Sequence, residues 1–353
     1  MSTSENEEAR RGPVASTAPA AVIVMAAGKG TRMRSTTPKV LHRIGGRSLL
    51  DHAVTAARGL HPEHLVVVVR HERAAVVAHL AQIAPDAVPV DQDEIPGTGR
   101  AVACALAALP AHLTGPVVVT SGDVPLLDTA TLEALVAQHR ERGDAVTLLT
   151  AELDDPAGYG RVIRAGGSDA LAVAEVVEHR DATPEQRAVR EINAGVYVFD
   201  AAHLRAALAT LGTDNDQGEI YLTDVVARAH SRGLSASALV VSDHWLVEGC
   251  NDRIQLADLG AELNRRVLRR WMVEGVGVVD PSSTRVDVTV ELARDVELEP
   301  GALLRGRTRV GEGARVGAYS ILTDVDIPAG AIVPPFSLLD GDAPVRGTRE
   351  HQH

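Results

Sequence analysis

Apolar residues return at every sixth position near the end of the chain: Leu298, Leu304, Val310, Val316 and Leu322, with glycine or other small residues between them. A six-residue period fits neither the 3.6-residue turn of an α-helix nor the two-residue alternation of a strand in an open sheet. It marks a left-handed parallel β-helix, in which three short repeats close one coil and stacked coils bury a continuous core. A shifted register carries the pattern through Ile327, Val333 and Leu339. Roughly forty residues of this kind predict two or three coils.

A different rhythm precedes it. Short apolar runs, at Ala21–Ala27, His64–Arg70, Ala87–Val90 and Pro116–Thr120, alternate with helical patterns at Ser48–Leu60, Glu72–Ile83, Gly99–Leu109 and Thr129–Arg142. That alternation predicts right-handed βαβ crossovers and a mostly parallel sheet. Ligands of such sheets bind beyond the carboxyl ends of the strands, so the chemistry is expected just after each apolar run. Past Ala145 come strands at Val146–Glu152, Arg161–Ala165 and Leu171–Glu178, read as a mixed extension of the sheet.

The first run opens onto Gly28-Lys29-Gly30-Thr31-Arg32-Met33, followed by Pro38-Lys39. Between Val22 and Leu50 stand Lys29, Arg32, Arg34, Lys39, Arg43 and Arg47 and no Asp or Glu, although the chain's formal net charge is -12. Such a field favours a polyphosphate, and a glycine turn beside a solvated basic face is the plainer alternative. Met33 stands where a dinucleotide fingerprint needs a small residue, and a Walker loop is absent.

Two more strand ends carry candidates. Asp91-Gln92-Asp93-Glu94-Ile95-Pro96-Gly97-Thr98-Gly99 ends in a turn that opens a helix, where N–H groups and an amide could read a base, or where the residues simply cap a helix. Ser121-Gly122-Asp123-Val124-Pro125-Leu126 puts a carboxylate at a strand end, suited to a hard cation or to capping.

Together these stretches resemble the sugar-1-phosphate nucleotidylyltransferases, and in detail the uridylyltransferase half of the bacterial bifunctional N-acetylglucosamine-1-phosphate uridylyltransferase/glucosamine-1-phosphate acetyltransferases. The resemblance implies an α/β fold: a Rossmann-like, mixed, mostly parallel nucleotidyltransferase sheet followed by a short left-handed β-helix. It implies uridylyl transfer from UTP to N-acetylglucosamine 1-phosphate with Mg²⁺. Arg32 and Lys39 match catalytic positions, and Asp123 and Asn251 match metal ligands. Residues at Met25, Ala26, Ala27, Gly28, Gln92, Gly97 and Thr98 match contacts to uridine, and Gly160, Glu178 and Asn193 match contacts to the amino sugar. The family's usual Asn-Asn pair is Asn251-Asp252 here, leaving the first ligand intact. The Asn215–Asp224 stretch resembles another family segment, with helix packing its expected role. A related UTP- or dTTP-dependent transferase for another sugar 1-phosphate, or a non-catalytic regulatory homologue, are the alternatives.

The domain boundaries expected are a disordered tail at 1–19, the transferase domain at 20–250, a linking helix at 251–275, the β-helix at 276–340 and a second tail at 341–353. In the linking helix, Ile254, Leu256, Leu259, Leu263, Val267 and Trp271 form the expected apolar side. Full-length relatives continue the β-helix through the acetyltransferase site, so acetyl transfer is expected to be absent; long helices of this kind form trimers in the family, and so short a one leaves trimer and lower states as alternatives. The acidic balance argues against nucleic acid as a partner. Cys104 and Cys250 show no metal or disulfide spacing, no apolar run is long enough to span a membrane, and a cytoplasmic location is expected.

Overall fold

Strand β1 (Ala21–Met25) has no exposed residue, and Ala21 to Val24 are wholly buried. Successive strand residues face opposite sides, so both faces of the sheet are covered here, as a parallel strand requires. The structure, a computed structural model, describes residues 18–166, 169–213, 215 and 217–341. The two expected tails fall outside them except for Ala18, Pro19 and Gly341.

In chain order β1 is followed by a small hairpin, β2 (Arg43–Ile44) and β3 (Arg47–Ser48), then α1 (Leu49–Gly59) and β4 (His64–Val69). Next come α2 (Arg73–Ile83), β5 (Val88–Asp91), α3 (Thr98–Ala108), β6 (Pro116–Ser121) and α4 (Thr129–Arg142). The later part of the sheet is built from β7 (Val146–Glu152), β8 (Arg161–Arg164), β9 (Val173–Val177), a one-turn α5 (Pro184–Arg187) and β10 (Glu191–Asp200). After α6 (Ala201–Leu208) and α7 (Asp224–Ser231), β11 (Ala236–Val241) completes it.

The strand order is β11-β7-β10-β6-β1-β4-β5, with β8 and β9 attached beside β10. β1 runs parallel to β4 and β6, whereas β10 lies antiparallel between β6 and β7. The expected mixed extension begins at that strand. Ile23, Val66, Val119 and Phe199 join one buried cluster with α3, α6 and α7 residues such as Val102, Leu204 and Val225.

The chain divides into two compact units. The first holds the described residues to Lys29 and Leu50–Glu248, hence the large sheet. The second takes Gly30–Leu49 together with the described residues from Gly249 onward.

The second unit is built on α8 (Arg253–Val273) and the β-helix. Asp252 caps α8, its carboxylate accepting from the backbone N–H of Ile254 and Gln255 at 2.9 Å each. Leu259, Val267, Leu268 and Trp271 are buried, but Ile254 is 73% exposed, contrary to the expected apolar side. Ile254 lies in the first turn of α8, next to the cap. Asn264, a polar residue, is buried instead: its amide donates to the Thr284 carbonyl at 3.0 Å and its oxygen accepts from Val286 N at 3.1 Å. It ties α8 to the first coil.

Three parallel ladders form the β-helix. One stacks Gly277–Val278, Glu297–Leu298, Arg315–Val316 and Ile332–Val333; the second has four strands and the third has three. Among the described residues eleven short strands make three full coils with two strands to spare, more than the two or three coils expected. Val286 and Leu292, both buried, extend the six-residue period upstream of Leu298.

The hairpin rests on this assembly. Gly45 and Gly46 have φ of +53° and +85°, and a Cβ on them would lie 2.8 Å from the Leu263 side chain and 2.6 Å from the Asp287 carboxyl. Only glycine combines that backbone with that approach.

Candidate functional site

The expected nucleotide-contacting residues of the first unit sit at neighbouring strand ends. Met25 ends β1 and pairs with Ser121, which ends β6; Val69 and Asp91 close β4 and β5. Ala26, Ala27 and Gly28 therefore leave the sheet beside Asp123, with Gln92 on the same carboxyl edge. Gly122 lets β6 come close, its N–H donating to the Met25 carbonyl at 2.9 Å. A Cβ there would lie 3.3 Å from that oxygen. A Cβ on Gly28 would meet nothing within 4 Å, so the protein leaves that space open.

Gln92 is half-buried, and its amide nitrogen donates to the carbonyls of Ile95 and Gly97 at 3.0 and 3.2 Å. That orientation presents its side-chain oxygen as an acceptor. Asp93 is drawn back to Arg100, which holds its carboxyl below the usual range. Gly97 and Gly99 let the turn dock on the backbone at Ile220. Gly97 has φ of +115°, and a Cβ would fall 2.3 Å from the Ile220 carbonyl oxygen. Gly99 N–H donates to that same carbonyl at 2.8 Å. The Thr98 hydroxyl accepts from Leu222 N at 3.1 Å, which gives this side chain a structural partner.

Gly160, Glu178 and Asn193 converge. A Cβ on Gly160 would lie 3.6 Å from both the Asn193 Cβ and Glu178 Oε2, and Asn193 N donates to the Gly160 carbonyl at 2.9 Å. Five residues of β10, Asn193 to Tyr197, lie opposite three of β7, Leu148 to Thr150, an irregularity that Gly195 permits with φ of +70°. It brings Asn193 Nδ2 to the Tyr197 hydroxyl at 2.7 Å, while Asn193 Oδ1 accepts from Gly195 N at 3.2 Å. The amide is thereby fixed in orientation.

Burial pushes the Glu178 carboxyl above its ordinary range, and Asp181, Asp224 and Glu219 act in the same sense. The Thr223 hydroxyl opposes them, donating to Glu178 Oε1 at 3.4 Å. Sequence reasoning assigned the stretch ending at Asp224 to helix packing. α7 does pack on β9, but Thr223 also reaches Glu178, and Tyr197 holds Asn193; neither contact was foreseen. The polar Asn-x-x-x-Tyr spacing on an otherwise apolar strand was the available signal for the second.

Arg32, Lys39 and Asn251 belong to the second unit. Arg32 is exposed on a 3₁₀ turn, Thr31–Met33, whose Met33 is buried and whose Met33 carbonyl accepts from Arg253 Nε at 3.3 Å. Gly30 has φ of +61°, and a Cβ there would sit 2.5 Å from Lys39 Cβ. Lys39 starts a second 3₁₀ turn and is half-buried. Its ammonium donates to Asn251 Oδ1 at 3.5 Å. Asn251 is not the helix cap, since Asp252 fills that role; its own N–H donates to Gln255 Oε1 at 2.8 Å.

Among the described residues no group of three or more His, Cys, Asp or Glu side chains could hold a metal. Asp123, half-buried, accepts from the Ser121 hydroxyl at 2.6 Å through one oxygen. The Asp123 carboxylate of the first unit and the Asn251 amide oxygen of the second are each, taken separately, the donor type that suits a hard cation.

Known proteins bear on this arrangement. A family model for the MobA-like NTP transferase domain matches residues 22–232. The chain is 58% identical over 315 residues to the Bifunctional protein GlmU of Kineococcus radiotolerans, covering 89% of this chain and 63% of that one. It is 52% identical to the Bifunctional protein GlmU of Cutibacterium acnes, covering 89% of this chain and 75% of that one. The chain thus spans under two thirds of the first of these relatives. A solved structure of UDP-glucose pyrophosphorylase complexed with UDP-glucose superposes with a TM-score of 0.56 at 16% identity, covering 70% of this chain and 98% of that one; this shows a shared fold.

Proposed function

The chain belongs to the MobA-like NTP transferase domain family, and from that premise we propose that it transfers the uridylyl group of UTP to N-acetylglucosamine 1-phosphate. The convergence of Gly160, Glu178 and Asn193 carries this reading, because it offers an oriented amide and a carboxylate to an amino sugar's hydroxyls and acetamido group.

In the reaction a phosphate oxygen of the sugar attacks the α-phosphorus, the new P–O bond forms, and the bond to the β-phosphate oxygen breaks. Pyrophosphate leaves with that electron pair. The nucleophile is already ionised, so no general base is needed, and positioning with charge neutralisation supplies the rate. Gln92 accepts the uracil N3–H on its side-chain oxygen while its nitrogen stays bound to the loop. A base lacking that donor would leave the oxygen unpaired. Arg32 stabilises the charge that grows on the α-phosphate and the departing pyrophosphate, and Lys39 orients the attacking phosphate. Asp123 and Asn251 would hold a divalent cation, Mg²⁺ in this proposal, which when bound neutralises the two phosphates as they approach.

Assembly as a homotrimer through the β-helix belongs to the proposal, supported by Ile332, Phe336 and Leu338, which are apolar and exposed. So does a cytoplasmic location; no helix among the described residues is long and apolar enough to cross a membrane. Pyrophosphate release with UTP against dTTP, and with N-acetylglucosamine 1-phosphate against other sugar 1-phosphates, tests the central claim. Release that favours another pair redirects it, and no release with any pair rejects it. The expected lack of acetyl transfer is separate, and an assay with acetyl-CoA and glucosamine 1-phosphate checks it.

A further inference from the structure

The second unit contains a basic cavity of about 590 Å³ that the proposed transfer does not use. Arg47, from the hairpin, and Arg270, from the last turn of α8, face it together with Arg307 and Arg309 of the β-helix. Ion pairs between adjacent coils are ordinary on this β-helix. Arg309 Nε lies 3.1 Å from Glu291 Oε2, and Arg315 is paired in the same way with Glu297. Arg47 and Arg270 lie outside those ladders, so their convergence is a separate feature of the fold. Arg307 is 90% exposed and lies 3.9 Å from Asp324, a loose pairing. Glu291 is engaged by Arg309, which leaves Glu274 as the other acid on the wall.

Trp271 forms part of the same wall. It is nine-tenths buried, and its indole N–H has no hydrogen-bond partner. Arg270 stacks over the ring at 4.6 Å. Planar guanidinium forks match phosphate oxygens two at a time. A volume of this size falls in the range of small-molecule sites, well beyond that of a lone inorganic ion.

The geometry points to a binding site for a phosphorylated small molecule, its anionic groups held by Arg47, Arg270 and Arg307 beside Trp271. Arg270, exposed and resting on the indole, turns toward the ligand's charge, which changes the surroundings of the ring. None of these residues has a part in the proposed transfer, so the two readings stand or fall separately.

The test is emission from Trp271 in the full chain carrying Trp245→Phe, which leaves a single tryptophan. Inorganic pyrophosphate is titrated in EDTA, without divalent cation. The expected result is a saturable change whose half-saturation rises at least tenfold in Arg47→Gln/Arg307→Gln and climbs with salt. No saturable change, or the same half-saturation in the double variant, overturns the assignment. A response abolished by Arg32→Ala overturns it as well, since it would place the anion at the glycine loop.

Discussion

The Lys39 ammonium lies 3.5 Å from the side-chain oxygen of Asn251, a residue 212 positions later in the chain. In the proposed reaction the charge assigned to a substrate phosphate is thus held beside the oxygen assigned to a cation. Asn251→Ala and Lys39→Ala are each expected to lower kcat by about 10²–10³. Because the groups touch, the double variant should fall short of the product of the single effects. Pyrophosphate release in the four proteins of the cycle measures this, and strict multiplication would deny the coupling.

The two glycines of the early loop should respond oppositely to alanine. Gly30→Ala places a methyl against Lys39 in a left-handed backbone, at an expected cost of about 1–3 kcal/mol, with a fall in kcat as Lys39 is displaced. Gly28→Ala meets open space and should leave stability within about 0.5 kcal/mol while raising KM for UTP. Urea unfolding and steady-state kinetics on both variants separate the two outcomes.

Glu178 gives a pH dependence whose sign differs between folding and binding. Its carboxyl is raised in the folded state, so its contribution to stability is fully present below the ordinary carboxylate range and is lost as pH rises through the raised value. Sugar binding runs the other way if the ionised form accepts the hydroxyls. KM for N-acetylglucosamine 1-phosphate should rise as pH falls through that same value, above the range where an ordinary Glu would act. Glu178→Gln should have a high KM that no longer changes there.

Tyr197 acts through Asn193. Burial raises its phenol well above the usual value, which keeps the hydroxyl neutral at any working pH. Tyr197→Phe preserves the ring but removes the partner of Asn193 Nδ2. An increase in KM for the sugar phosphate of about 3–10-fold, with kcat and KM for UTP nearly unchanged, is expected from the loss of one hydrogen bond. A fall in kcat alone would contradict a positioning role.

How far the sequence reveals this structure depends on whether a local signal marks each element. α4 begins and ends where expected because Asp128 supplies a cap, accepting from Thr131 N at 2.8 Å, and Gly143 supplies the left-handed exit at φ of +62°. The strand ends bearing Gly28, Gln92 and Asp123 followed from apolar runs alone. Asn264 was invisible, since a buried polar residue breaks the helical pattern and its partners, Thr284 and Val286, lie on another element. The strands beyond three coils are written in Val286 and Leu292, six residues apart and in step with Leu298, and the start at Gly277 falls next to the boundary expected at 276. Thr223 was overlooked because its hydroxyl answers to Glu178, 45 residues earlier, a distance that no periodicity reports.

The hairpin with Gly45 and Gly46 sets an order of events at the ribosome. Its Gly45 carbonyl waits for the Val288 N–H, which is translated roughly 240 residues later, or about 10–50 s at ordinary elongation rates. Until then the segment between Gly30 and Leu49, with Arg32 and Lys39, has emerged without the framework it finally rests on. A nascent protein halted before α8 could therefore complete its large sheet while the Gly30–Leu49 segment stays unsettled, so translation must continue through the first coils before that segment can consolidate.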